Sequence, residues 1–296
     1  MKTLLKGLAW LLGLGVVAVL GLLGYAWYAT DRASAATYAV NDPPLAIATD
    51  AETIARGGRL YGELACGDCH GPNGEGHLMV DAPPFRLVAP NLTPTRLAGR
   101  YDADRLAAAI RHGVDPDGHP LRVMPSKDFH NLSDADTAAL VAHLQALPPS
   151  DNDPGAFELK PLGRVLVALG KIELFAAEHI DHAPRARTAP PAGPTAEYGE
   201  YLAQRCVGCH RADFSGGHVE GTPPDFKDAA NLTPHAAALG AWTAEDFQRA
   251  MRTGKRPDGS ALDGFMPWKA YSTMGDDEIA ALYAYLRTVP EKAPAK

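Results

Sequence analysis

The chain has 296 residues, with 28 Lys and Arg against 35 Asp and Glu, a formal charge of −7 and a pI near 5.9. That balance argues against nucleic acid as a partner, which needs a basic patch, and 46% hydrophobic residues argue against bulk disorder. The length suits two domains, and 29 Gly with 25 Pro predict short helices joined by shaped loops.

The N-terminus carries no charge from Leu8 to Ala29, a run of 22 residues. As a helix it is about 33 Å long, enough for a bilayer core. Lys2 and Lys6 precede the run and Asp31-Arg32 follow it, so the positive-inside rule leaves the N-terminus in the cytoplasm. Trp10 at one end, with Tyr25, Trp27 and Tyr28 at the other, suits interfacial anchoring. A cleaved signal peptide is the rival reading, because Ala33-Ser34-Ala35 fits a small-residue cleavage site. The length of the apolar run favours an uncleaved anchor over residues 1–32. Under either reading everything after it is exported.

The rest of the chain repeats itself. Cys66-x-x-Cys69-His70 returns as Cys206-x-x-Cys209-His210, and no other cysteine exists. Twenty-five residues past the first cysteine of each motif stands Asn-Leu-Thr-Pro, at Asn91 and Asn231. An aromatic, an amphipathic helix and a Pro-Asp-Gly turn follow in each copy, then Met124-Pro125 and Met266-Pro267. Each copy closes with a helix opened by an Asp-rich turn and stopped before proline. His70 to Met124 is 54 residues and His210 to Met266 is 56. Two copies of this length need no further neighbours to bury a core, so the pattern is a duplicated domain rather than a solenoid. The domains are expected at 48–150 and 192–292, with a linker at 151–191. Leu162, Val165, Leu166, Leu169 and Ile172 form a helical stripe within it. Packing between the two domains is the expectation for that helix, with the membrane as the alternative.

The cysteine spacing limits the chemistry. Dithiol redox chemistry is expected beside a βαβ pattern, which is missing. Structural zinc wants two ligand pairs in one small unit, and each copy has one pair. A structural disulfide more often joins cysteines distant in sequence. C-x-x-C-H is the attachment signature of haem c. Two thiols at i and i+3 share one helical face and meet the two vinyl groups of one porphyrin, and the histidine becomes the proximal ligand. Two such motifs predict two covalently attached haem c. Of the six methionines only Met124 and Met266 recur in register, each before proline in a loop, and they are the candidate sixth ligands. Met251 and Met274 fall on helices and read as core; Met79 has no repeated role. The histidines outside the two motifs do not recur in register and read mostly as surface residues, with His77 and His218 the nearest to the motifs.

These motifs together resemble the class I cytochrome c domain, once per half. The whole chain is similar to the membrane-anchored dihaem cytochromes c of bacterial respiratory chains, in particular to subunits that accept electrons from periplasmic dehydrogenases. Those often carry three haems, and this chain has two motifs. The resemblance implies a mainly α fold: two tandem class I cytochrome c domains after one N-terminal transmembrane helix. It implies crossed first and last helices in each domain, with Gly57 and Tyr61 at the first crossing. In the second copy Tyr201 matches Tyr61, but Glu197 stands at the Gly57 position. It implies a hydrogen bond from each proximal imidazole to a backbone carbonyl, at Pro90 and Ala230. It also offers Arg111 and Arg252, which recur in Arg-x-Gly, as haem propionate partners.

Iron closed on both faces by protein ligands passes electrons and leaves no position for a substrate. The expected function is therefore electron transfer rather than catalysis, on the periplasmic side of a bacterial inner membrane and held there by a single span. The donor would be a dehydrogenase or quinol-oxidising complex and the acceptor a cytochrome or terminal oxidase. A dihaem enzyme such as a peroxidase or sulfur-compound oxidase is the alternative, and it would need an open iron site.

Overall fold

Side-chain caps and glycine stops mark where the helices of each repeat begin and end. The computed structural model describes residues 2–219, 222 and 225–293; Met1, the expected first residue of the anchor, and residues 220, 221, 223 and 224 of the second repeat lie outside them. The apolar N-terminus forms α1 (Lys2–Ser34), long and apolar enough to cross a membrane.

In the first repeat Asp50 caps α2 (Ala51–Glu63) by accepting from the Thr53 amide. The motif helix α3 (Cys66–His70) follows, then a hairpin of β1 (His77–Asp81) and β2 (Phe85–Ala89) and a single turn, α4 (Pro94–Leu97). Asp102 caps α5 (Ala103–His112), which stops at Gly113 in the left-handed conformation. After the Met124 loop come α6 (Ser126–Phe129) and α7 (Asp134–Ala146), the latter capped by Ser133. The connecting segment supplies β3 (Glu158–Leu159), α8 (Pro161–Ala168) and a 3-10 turn at Ala176–His179. The second repeat has α9 (Ala196–Ala203), α10 (Val207–His210), α11 (Ala244–Thr253), α12 (Trp268–Tyr271) and α13 (Asp276–Leu286). Thr243 and Asp246 form a capping box on α11, which stops at left-handed Gly254.

Each repeat has its own core. Leu60, Leu106, Ile110, Leu140 and Leu144 are buried together in the first; Leu202, Phe247, Met251, Ile279 and Leu286 are buried together in the second. Met251, on α11, and Met274 are core residues as expected, but Met274 lies in the turn between α12 and α13 rather than on a helix. The mainly α expectation holds, with one addition: β1, β2 and β3 form a small antiparallel sheet on the first domain.

The helix crossings are tighter than the sequence register suggests. A Cβ on Gly57 would lie 2.0 Å from the Ala139 carbonyl oxygen, so α2 and α7 touch backbone to backbone. In the second repeat the same contact is made by Gly199, whose Cβ would lie 1.9 Å from Ala281 O. Glu197 is therefore not the counterpart of Gly57. Gly199 is, and the second copy runs two residues fewer from this glycine to its first cysteine. Tyr201 is likewise not the counterpart of Tyr61. Tyr61 donates to Gly71 O at 2.7 Å within its own domain. Tyr201 bonds Asp136 and accepts from the Ser133 amide, both in the other domain.

The connecting segment also departs from expectation. Gly163 of α8 packs under Pro84 O of the hairpin, Arg164 bonds Thr30 of α1, and α8 lies along α1. The helix therefore packs toward α1 rather than between the domains. Leu174, Phe175, Ala176 and Ala177 are buried, and Leu174 O accepts from the Val123 amide at 2.8 Å.

Both crossings depend on the missing side chain. Gly57→Ala and Gly199→Ala should each force their helices apart and destabilise their own domain by about 1–3 kcal/mol, read as separate losses in chemical denaturation followed at the two haem absorbance signals.

Candidate cofactor sites

The two cysteine motifs are positioned by the end of the crossing helix. In the first domain α2 ends at Glu63, Ala65 adopts φ 55, and α3 then sets Cys66 and Cys69 one turn apart. In the second, a 3-10 turn at Gln204–Cys206 runs directly into α10, again leaving Cys206 and Cys209 one turn apart. None of the four is in a disulfide. Burial, with the neighbouring Cys69 adding to it, pushes the Cys66 thiol up to about 12. Burial pushes Cys206 up to about 11, with Arg205 opposing. Cys69 and Cys209 are also raised by burial. Before any haem is attached, burial thus favours the protonated thiol over the thiolate at all four positions. Among the described residues no three His, Cys, Asp or Glu side chains gather as a metal cage.

The histidines close the motifs. His70 and His210 are each 8% exposed. The Nδ1–H of His70 donates to Pro90 O at 2.9 Å, and that of His210 donates to Ala230 O at 2.7 Å. A carbonyl can only accept, so Nδ1 carries the proton and Nε2 keeps its lone pair. Burial, working against the pull of the carbonyl, holds both imidazoles below the usual histidine range and hence neutral.

Two glycines that the motif reading passed over make these bonds possible. Gly76 and Gly216 stand six residues beyond each histidine at φ 69, and their amides donate back to His70 O and His210 O. A Cβ on Gly76 would lie 2.6 Å from Pro90 C, and one on Gly216 2.5 Å from Ala230 O. Their recurrence in register was the available signal. The Asn-Leu-Thr step holds the same strand from the other side. Asn91 accepts from the Thr93 amide and donates to Ser150 O; Asn231 accepts from the Thr233 amide and donates to Lys292 O.

The methionine loops dock by a shared rule. Leu121 and Leu262 donate to Gly113 O and Gly254 O, the stops of α5 and α11. Ser126 and Trp268, two residues past each methionine, then pack on those same glycines. Met124 packs half-buried against the core cluster that Cys66 also touches, and Met266 against the one that Cys206 touches. The structure thus brings motif, carbonyl and methionine loop to one core in each domain.

The cytochrome c family model matches residues 54–148 and again 196–290. The chain belongs to the cytochrome c family. It is 32% identical over 272 residues to the fructose dehydrogenase cytochrome subunit of Gluconobacter japonicus, covering 81% of this chain and 53% of that protein. It is 27% identical to the dihaem cytochrome c-type protein of Cereibacter sphaeroides, over 94% of this chain and 97% of that one. The cytochrome c subunit of the quinone-dependent alcohol dehydrogenase of Gluconacetobacter polyoxogenes is 27% identical over 78% of this chain and 55% of its own length. The chain spans about half the length of these two dehydrogenase subunits. Two cytochrome c domains carry two covalently bound haem c, and such subunits are electron-transfer proteins.

Within these cytochrome c domains the recurrent arginines find protein partners, and one reading of the histidines is corrected. Arg111 and Arg252 each bond protein groups, and the Nε of Arg111 is buried without a protein partner among the described residues. Arg111, 1% exposed, donates to Leu132 O and Asp134; Arg252 donates to Ser272 O and Asp276. In both copies the guanidinium ties the helix before the methionine loop to the start of the last helix. His112 and His130 are not surface residues. His112 is fully buried between Asp42 at 2.9 Å and His182 at 3.0 Å, and His130 bonds Arg111 O and Arg185. His77 and His218 have exposed side chains.

The two sites meet across a buried interface. Arg205, one residue before Cys206, pairs with Glu63 at 2.6 Å with both side chains almost wholly buried. Burial pushes the Glu63 carboxyl up and Arg205 opposes it; burial also works against the Arg205 charge, but Glu63, Asp136, Tyr201 and Glu278 together outweigh that and the guanidinium stays protonated. Asp128 of α6, four residues past Met124, lies against Gly208 inside the second motif. Burial pushes Asp128 up to about 6, opposed by Lys127 and assisted by Glu173.

Removing one charge of the buried pair strands the other. Glu63→Ala should cost about 3–5 kcal/mol in denaturant unfolding, while joint replacement of Glu63 and Arg205 by apolar residues should recover most of the loss. The raised Asp128 gives stability that is present while its carboxyl is protonated and lost as pH rises through about 6. Asp128→Asn should match the parent protein near pH 4 and exceed it above pH 7 by up to about 3 kcal/mol, measured by thermal unfolding across that range.

Proposed function

We propose that this cytochrome c carries electrons on the periplasmic side of a bacterial inner membrane, anchored by α1, between a dehydrogenase or quinol-oxidising complex and a cytochrome or terminal oxidase. The observation that carries the reading is the repeated site: motif, imidazole-to-carbonyl bond and methionine loop occur twice with the same supporting contacts. Neither copy is specialised as an open catalytic site would be. The names of the relatives support a dehydrogenase as donor.

In this proposal Cys66 with Cys69, and Cys206 with Cys209, hold the two haems through thioether bonds. His70 and His210 ligate through Nε2, because Nδ1 is spent on Pro90 O and Ala230 O. Such bonds fix the ring plane and raise its donor strength. Met124 and Met266 would be the remaining protein ligands, offered from loops held on Gly113 and Gly254. Each haem, when bound, supplies a one-electron iron couple whose potential thioether ligation raises. The protein keeps the site dry, the imidazole neutral and the methionine loop docked, so little has to move when an electron arrives. The interdomain ion pair and the Tyr201 contact with Asp136 keep the two sites at one separation.

Absorption spectra of the oxidised, reduced and carbon-monoxide-treated protein test the reading. Two low-spin c-type haems with a methionine-to-iron charge-transfer band and no carbon monoxide adduct are expected. An adduct or a high-spin haem in the parent protein would mean an open iron and favour an enzyme. Met124→Ala and Met266→Ala should each abolish half of the charge-transfer band, admit carbon monoxide at one haem and lower the potential of that haem.

A further inference from the structure

The connecting helix α8 lies where the span meets the domain. Ala26 and Thr30 are the buried positions of α1, with Leu23 and Ala29 half-buried, a stripe at helical spacing on the side where α8 packs. Counted from Leu8, the roughly 20 residues that a bilayer core takes end near Trp27. Ala26 is therefore at the edge of the apolar layer, and the helix that covers it lies at the same depth. Exposed Tyr25 and Tyr28 mark that level as an aromatic belt.

The composition of α8 fits that place and does not fit water. Its sequence is PLGRVLVA, followed by Leu169. Its one charge, Arg164, turns back to Thr30 and Asp31, with its guanidinium carbon 4.9 Å from the centre of the Trp27 ring. Gly163 is pressed against Pro84 O, so the first domain covers the side of α8 where a free interfacial helix would be polar. Leu162 and Leu169, seven residues apart on one face, are 47% and 53% exposed. Lys160, at the N-cap of α8, is tied to Asp81 and Ala82 O of the hairpin, which fixes the helix to the sheet of the first domain.

We infer that the Leu162–Leu169 face of α8 is seated in the lipid headgroup and acyl boundary, and that it holds the first cytochrome c domain against the membrane. The inference rests on α1 being the span proposed above. Lipid is the occupant because the patch adjoins the uncovered apolar surface of α1, whose most hydropathic 18-residue window has no buried position. The consequence is that the first haem domain has a set orientation to the bilayer, while the second reaches solvent through its contacts with the first.

Spin labels on the full-length haem-loaded protein in phosphatidylethanolamine–phosphatidylglycerol vesicles test this. Labels at Leu162→Cys and Leu169→Cys, both exposed positions, should collide several-fold more with oxygen than with a water-soluble nickel chelate. A label at Glu158→Cys should show the reverse. A Val17→Cys label reports the span itself. If Val17 is in lipid but the α8 labels prefer nickel, the seating is overturned and the anchor stands. Shielding of the α8 labels from both probes would mean that a protein surface covers them, which also overturns it. A Val17 label that prefers nickel would remove the anchor and this inference together.

Discussion

A missing side chain against a carbonyl oxygen sets the frame of each domain. Gly57 under Ala139 O and Gly199 under Ala281 O let the first and last helices cross at backbone contact, and the rest of each site is built outward from that crossing. The end of the first helix fixes where the cysteine turn begins. The end of the last helix fixes the segment whose carbonyl Asn91 or Asn231 holds. Between these two fixed points the strand carrying Pro90 or Ala230 is brought against the imidazole, with Gly76 or Gly216 leaving room for it. A shift of the crossing would reach the proximal histidine through two covalently short paths.

The duplication kept this frame and changed what surrounds it. The second copy approaches its motif in two fewer residues, through a 3-10 turn where the first has a left-handed Ala65. That shorter path puts Arg205 next to Cys206 and turns it into Glu63, while Tyr201 reaches across to Asp136. The interface therefore grips the attachment segment of one domain and the methionine-side helix of the other, since Asp128 abuts Gly208. A buried ion pair is weak support for stability by itself; its effect here is to hold two redox sites at a set distance and angle.

Among the described residues the first domain has further attachments that the second lacks. Its methionine loop is held by Leu174 O, at a Val123 that adopts φ 64, a backbone conformation unusual for a β-branched residue. The segment before α2 is drawn in through Asp42, which meets His112, Arg111 and Arg187. These contacts make the connecting segment and the approach from α1 parts of one domain. The path from α1 to the first site is correspondingly constrained.

The sequence by itself determined the repeat, the attachment chemistry and the order of the helices. Covalent spacing within a turn, capping residues and turn glycines are local and can be read at one position. C-x-x-C-H and Met-Pro stand in register for that reason, and so do the helices from Asp134 and Asp276. The pairing of Gly199 with Gly57 was not legible, because counting back from the cysteines assumes equal lengths, and only the packed crossing shows which glycine meets a carbonyl. Arg111 and Arg252 recur in sequence, but their partners lie 20 to 24 positions away, so recurrence did not reveal that they hold a helix. His112, His130 and Asp42 form a buried cluster from three separate segments, none of which carries a pattern. Tertiary structure alone decided the side on which α8 lies and which surfaces of the two domains meet, because these depend on apolar and charged groups far apart in the chain finding one shared place out of water.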